Sequence, residues 1–174
     1  VKAVIDCYKQ AIKIEPNHAE AYNNLATMLK KVGKLNDALK NWQKAIEINP
    51  NYKLAFSNMG SVQQEIGEFD AAIESYDHAL MSDPESVEVN FNQSLAYLHK
   101  KDFKAGWAKF EWRWETEKNR GFHIKTTKPR WNLSEKSRVL LWAEQGIGDE
   151  IMFASLIPEL YSNCSKLIVQ IDSR

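Results

Sequence analysis

One interval, 34 residues, recurs along most of the sequence and constrains the fold more than any other feature. It separates four aromatic residues, three alanines and three prolines: Tyr8, Trp42, Tyr76 and Phe110; Ala11, Ala45 and Ala79; and Pro16, Pro50 and Pro84. A fixed period in this size range is typical of a solenoid, in which each unit packs on its neighbours rather than around a central core. The sequence therefore predicts a stack of repeats.

The residue types at the repeated positions match the tetratricopeptide (TPR) repeat, a pair of antiparallel helices. Small residues such as Ala26 and Ala38 let the two helices approach closely, and Gly33 ends the first helix, where a left-handed residue is needed. Pro50 ends the second helix, because proline cannot continue it. The predicted fold class is mainly α: a TPR superhelix.

The repeat pattern sets the predicted boundaries: a second helix of a truncated repeat, two complete repeats and a degenerate capping repeat, over residues 1–18, 19–52, 53–86 and 87–119. In the degenerate repeat Asn90 replaces the expected aromatic residue, and Gly106 stands where Ala38 and Ala72 stand. Since the sequence starts inside a repeat and without methionine, we expect it to be a fragment.

Three asparagines, Asn24, Asn58 and Asn92, lie 34 residues apart on the predicted first helices, which line the inner face of a TPR superhelix. An asparagine amide offers two donors and an acceptor, which suits a peptide backbone. The column resembles the asparagine ladder in the TPR region of O-linked N-acetylglucosamine transferases. It predicts a groove that binds a protein or peptide; the alternative is that these residues serve packing or solubility.

The last repeat helix is unusually aromatic. Phe103, Trp107, Phe110 and Trp114 fall on one helical face, which is predicted to close the array, whereas Trp112 falls on the other. A terminal repeat normally turns a polar face to solvent. Trp112 is therefore predicted to be the joint to a second domain, or else an aromatic surface for another protein.

After a basic linker over residues 120–138 the pattern changes to strand, glycine turn, helix and strand. The strands are Val139–Trp142 and Leu167–Val169, predicted to be buried and parallel, so residues 139–174 read as an incomplete α/β (βαβ, Rossmann-like) segment. Gly146 and Gly148 in the turn permit close approach of a sugar or phosphate to the backbone at a helix N-terminus.

The combination of GWAKFEWRW, PRW and LLWAEQGIGDEIMFASLIPEL resembles bacterial TPR proteins that carry a glycosyltransferase-like domain, similar to the heptosyltransferase group of the GT-B fold. The resemblance covers nearly the whole chain. It implies sugar transfer from a nucleotide-sugar donor without a metal, with Asp149 as the general base on the acceptor hydroxyl. Pro158 lies further from Asp149 than in heptosyltransferases and no histidine follows on the helix, so a helix N-cap is the alternative role of Asp149.

Two functions follow. Either the array presents or selects an acceptor for a glycosyltransferase domain, or the protein is a non-catalytic TPR scaffold or adaptor. A nicotinamide oxidoreductase is disfavoured, because Ile151 stands where a GxGxxG motif needs its third glycine. The fragment itself is expected to be inactive, since the donor site of a GT-B fold belongs mostly to its C-terminal half.

The charge balance and the cysteines exclude several other classes. Lys plus Arg and Asp plus Glu both number 23, so no net charge draws the chain to nucleic acid or to an anionic membrane. No apolar run is long enough to span a bilayer, and we expect a cytoplasmic protein. Cys7 and Cys164 form no CxxC pair and the histidines show no HExxH spacing, so no metal site and no cofactor of the fragment are predicted.

Overall fold

The computed structural model describes residues 1–116, 127–132, 135–142 and 154–170. The chain divides into two compact units, Val1–Arg120 and Gly121–Arg174. The described part of the first unit is a run of helices: α1 (Lys2–Ile14), α2 (Ala19–Lys31), α3 (Leu35–Ile48), α4 (Lys53–Glu65), α5 (Phe69–Ser82), α6 (Val87–His99), α7 (Phe103–Phe110) and a 3₁₀ turn (Glu111–Glu115). None of the described helices has both the length and the apolar content needed to cross a membrane. The prediction of a mainly helical array is confirmed.

Consecutive helices pack as antiparallel pairs because small side chains lie where the pairs meet. Ala26 on α2 and Ala38 on α3 are fully buried, and so is Trp42, which fills the space beside them. The resulting core cluster draws side chains from α1 to α4. A second cluster forms around Tyr76 and draws on α3 to α6. The core is thus distributed along the stack, as expected for repeats that bury their apolar faces against neighbours.

A glycine lies where the two helices of the second repeat meet. A Cβ atom built on Gly60 would lie 2.8 Å from Cε1 of Tyr76, and Tyr76 is only 1% exposed. Gly106 has the same relation to Leu98, since its Cβ would lie 2.6 Å from Cδ2 of that residue. These two positions confirm that the repeated small residues set the spacing between paired helices.

The first helix of each repeat ends in the same way. In the first two repeats the left-handed residue is glycine: Gly33 has φ 76° and Gly67 has φ 86°. The next amide reaches back five residues, from Lys34 N to Leu29 O at 3.0 Å, which is the Schellman motif. The third repeat keeps this motif with Lys101 at φ 64° and a 3.0 Å bond from Asp102 N to Tyr97 O.

Replacing Lys101 by glycine is expected to stabilise the array. A side chain in the left-handed region costs about 1 kcal/mol, and glycine removes most of that cost at the end of α6. We expect the Lys101→Gly variant to gain about 0.5–1 kcal/mol in free energy of unfolding, measured by urea denaturation. The mirror variant Gly67→Lys should lose a similar amount; equal stability of both variants and the parent would contradict the account.

The end of the array differs from the prediction. Trp114 is buried and Phe110 is half-buried, but Phe103 is 57% exposed and Trp107 is 53% exposed. The prediction that all four aromatic residues close the array is therefore wrong for Phe103 and Trp107. Phe103 and Trp107 lie one repeat after Phe69 and Ile73, which α6 covers on α5. No described helix covers the same side of α7, and the 3₁₀ turn that follows Phe110 contacts α6 instead.

In the second unit the described elements are β1 (Arg138–Trp142), α8 (Ile157–Asn163) and β2 (Lys166–Gln170). The strands pair in parallel, with Leu140 opposite Ile168, as the sequence predicts. The prediction that they are buried is wrong: Leu140 is 42% exposed and Ile168 is 43% exposed. Two strands and one short helix do not suffice to cover both faces of a sheet.

Candidate functional site

The inner face of the array is formed by the first helices of the repeats. α2 contacts α4, and α4 contacts α6, whereas no comparable contact joins α3 to α5 among the described helices. First helices that converge while second helices diverge curve the stack and make the first-helix side concave. Lys30 on α2 reaches across this face to α4, where its Nζ donates to Ser61 Oγ at 3.0 Å and lies 3.9 Å from a Glu65 carboxylate oxygen.

The first two members of the predicted asparagine column, Asn24 and Asn58, meet at a third asparagine. Asn23 is only 6% exposed; its Nδ2 donates to Asn24 Oδ1 at 3.2 Å, and its Oδ1 accepts from Asn58 Nδ2 at 3.2 Å. The same oxygen accepts from the indole nitrogen of Trp42 at 3.1 Å. Asn24 and Asn58 are therefore brought together through a buried structural amide, and each keeps one amide group for another partner.

Asn92, the third member of the column, lies on α6 and is half-buried. It makes no hydrogen bond within the part of the chain that the structure describes. It lines an open cleft of about 540 Å³ between α4, α5 and α6, together with Ser61, Gln64, Glu65 and His99. Both polar groups of the Asn92 amide are thus available beside a cleft of the inner face.

The floor of this cleft is aromatic. The Phe69 and His99 rings stack, with centroids 4.9 Å apart and an interplanar angle of 3°. Burial raises the pKa of the Tyr76 phenol far above its usual range, so the hydroxyl stays protonated and donates to Gln64 Oε1 at 3.2 Å. The cleft therefore combines an aromatic floor with amide and carboxylate groups among its other lining residues.

Sequence reasoning missed a buried polar cluster in the third repeat. Gln93 is fully buried where the second repeat has Met59; its Nε2 donates to Asp77 Oδ1 at 2.7 Å, and its Oε1 has no hydrogen-bond partner among the described residues. Asn90 is 3% exposed and its Oδ1 accepts from Lys109 Nζ at 2.7 Å. Burial lowers the pKa of Lys109. The sequence did contain a signal for Gln93: it lies 34 residues after Met59, so a polar residue stands at a repeat position that is apolar in the second repeat.

Comparison with known proteins identifies the helical units. Residues 19–52 and residues 55–86 each match the tetratricopeptide repeat family. These two segments are tetratricopeptide repeats. The matched residues include Asn24 and Asn58. They cover the whole of α2, α3 and α5 and all of α4 except its first two residues, and they end at residue 86, directly before α6. No curated protein sequence matches the chain.

Solved structures of MamA share the fold of the TPR array. One MamA crystal structure is 22% identical, covers 66% of this chain and 67% of its own, and has a TM-score of 0.61. A second is 26% identical over 72% of this chain and 68% of its own, with a TM-score of 0.60. MamA 41-end from Desulfovibrio magneticus RS-1 is 18% identical over 66% and 64%, with a TM-score of 0.61. At these identities the likeness establishes the fold.

The remaining predicted site residues, Asp149, Gly146 and Gly148, lie outside the described residues. The family matches are to TPR repeats, and they extend no further than residue 86. They give no support to a glycosyltransferase domain. The roles of these three residues stay predictions.

Proposed function

We propose that the TPR array is a protein-interaction scaffold that holds an extended peptide segment of a partner along the inner face of α2, α4 and α6. The observation that carries the proposal is the column Asn24, Asn58 and Asn92: Asn24 and Asn58 each keep one unused amide group, and Asn92 lines an open cleft. Amide groups at regular intervals pair with a peptide backbone and need little from its side chains. Specificity then comes from the cleft beside Asn92.

The scaffold fits the comparisons better than a glycosyltransferase fusion does. TPR repeats and TPR structures account for the matches, and the described part of the second unit contributes two parallel strands and a helix. The fusion rests on the EQGIGDEIMFA segment, and a nucleotide-sugar donor and Asp149 chemistry belong to that hypothesis alone. A cytoplasmic location likewise stays a prediction.

Selection from a random peptide display library tests the scaffold. Peptides that bind the parent chain are expected to lose about tenfold or more in affinity on the triple variant N24A/N58A/N92A, because each lost hydrogen bond contributes about 0.5–1.5 kcal/mol. Affinity is measured by fluorescence anisotropy of the selected peptides. Asn36→Ala, an exposed change on α3, is the matched control and should leave the affinity unchanged.

Folding and binding effects are separated by the single variant Asn92→Ala. Because Asn92 makes no hydrogen bond among the described residues, its loss should weaken peptide binding several-fold and leave the melting temperature unchanged. Asn24 and Asn58, in contrast, also support Asn23, so the triple variant should melt slightly lower. A library that yields no binder, or binders that are indifferent to all three asparagines, would contradict the proposal.

A further inference from the structure

The second surface of interest is at the end of the array, away from the asparagine column. We call it the terminal face and define it by Phe103, Trp107 and Phe110 on α7. Phe103 and Trp107 are more than half exposed, and Trp107 packs edge-on against Phe110 with ring centroids 5.2 Å apart. Large aromatic side chains held in a fixed arrangement at a surface are typical of a binding site.

The equivalent face on α5 shows how a helix can cover the terminal face. Phe103 corresponds to Phe69, and Trp107 to Ile73, one repeat earlier in sequence. On α5 these residues are half-buried beneath α6: Phe69 stacks on His99, and the Ile73 carbonyl accepts from Gln93 Nε2 at 3.2 Å. In the upstream repeats the next first helix therefore occupies this face, and continuity of the stack predicts a helix on α7 in the same place.

The charged residues beside the terminal face indicate which charge the bound helix needs at its C-terminal end. Lys100, at the C-terminal end of α6, forms an ion pair with Asp70 near the start of α5. The position of Asp70 is taken on α7 by Lys104, which is exposed and forms no ion pair among the described residues. The sign of the pair is therefore reversed: a helix seated on α7 needs an acid where α6 has Lys100.

The side chains that first helices present to the preceding repeat define the apolar pattern. α4 and α6 use positions one, five and eight of a short stretch: Ala55, Met59 and Val62, and Val89, Gln93 and Ala96. The partner helix therefore carries apolar residues at this spacing.

The segment that follows the array, residues 118–138, does not fit as this helix. It holds seven basic residues and Glu135 as its single acid, whereas the helix on α7 needs an acidic residue at its C-terminal end.

We propose that the terminal face binds one amphipathic helix of a partner protein, seated on α7 as α6 is seated on α5, with an acidic residue at its C-terminal end beside Lys104. This surface is separate from the inner face and takes a helix rather than an extended peptide. The array then has two docking modes, one along the asparagine column and one at its end.

A peptide patterned on α6 tests the proposal. The probe is residues 87–100 with Gln93→Leu and Lys100→Glu (the acidic peptide); the same peptide with the lysine kept is the basic peptide. We expect the acidic peptide to bind the full chain about two- to fivefold more tightly than the basic one, the range of a surface ion pair. Trp107→Ala should weaken both by about tenfold or more. Binding is measured by fluorescence anisotropy.

A charge exchange provides the decisive control. Lys104→Glu should reverse the preference, so that the basic peptide binds more tightly, whereas Lys40→Glu on the exposed side of α3 should change neither affinity. Circular dichroism melts verify that the variants fold. Failure of the acidic peptide to bind, or binding indifferent to Trp107→Ala, overturns the proposal. A self-association of the chain in sedimentation velocity that Trp107→Ala abolishes assigns the face to a second copy and also overturns it.

Discussion

Replacing Trp42 by alanine is expected to lower the free energy of unfolding of the TPR array by about 3–5 kcal/mol, the range for truncating a buried tryptophan. Trp42 is 0% exposed and lies at the centre of the cluster that joins α1 to α4. In a linear array the lost volume cannot be filled from a second core layer, because each repeat contacts only its neighbours. Urea denaturation followed by circular dichroism measures the change.

Trp107 supplies the matched control for this experiment. It is also a tryptophan on the second helix of a repeat, but it is 53% exposed. The Trp107→Ala variant is expected to lose only about 1–2 kcal/mol, since about half of the Trp107 surface is buried. Equal losses for the two variants would mean that the tryptophans do not differ in burial as the structure describes, and would remove the assignment of the terminal face as an exposed surface.

The contrast between these tryptophans marks what the sequence could predict. Trp42 lies on the 34-residue period with Tyr76, and periodicity alone identifies it as core. Phe110 and Trp107 satisfy a helical-face pattern equally well, but a pattern on one helix does not reveal whether another helix covers it. Whether a side chain on the last helix of a stack is exposed depends on whether another helix packs on it, and the sequence of the last helix does not carry that information.

The same limit applies to the inner face. The period identifies Asn24, Asn58 and Asn92, because all three positions hold the same residue type. It passes over Asn23, whose counterparts one and two repeats later are Ser57 and Phe91. A structural amide needed at one place in the stack leaves no periodic signal, although it determines how two members of the column are held.

In the second unit the strand predictions depended on short apolar runs, and their parallel pairing is confirmed. Their burial was overestimated, because a run such as Val139–Leu141 indicates a strand without indicating what covers it. The turn with Gly146, Gly148 and Asp149 lies outside the described residues, so the roles of these three residues stay predictions.

Asn23→Ala is expected to lower the free energy of unfolding by about 2–3 kcal/mol, more than a surface asparagine should contribute. Removing the side chain takes away the acceptor of two hydrogen bonds, from Trp42 Nε1 at 3.1 Å and from Asn58 Nδ2 at 3.2 Å. The Asn58 amide is half-buried and regains a water partner, but the indole N–H of Trp42 is fully buried and stays unpaired. An unsatisfied buried donor costs about 1–3 kcal/mol.

The neighbouring substitution Asn24→Ala provides the control, since it changes the same residue type one position along the helix. It removes one acceptor for Asn23 Nδ2 and should cost less than about 1 kcal/mol. A double-mutant cycle isolates the indole bond: in a Trp42→Phe background, which has no N–H, Asn23→Ala should cost only about 1 kcal/mol. If Asn23→Ala costs the same in both backgrounds, the hydrogen bond to Trp42 does not stabilise the array.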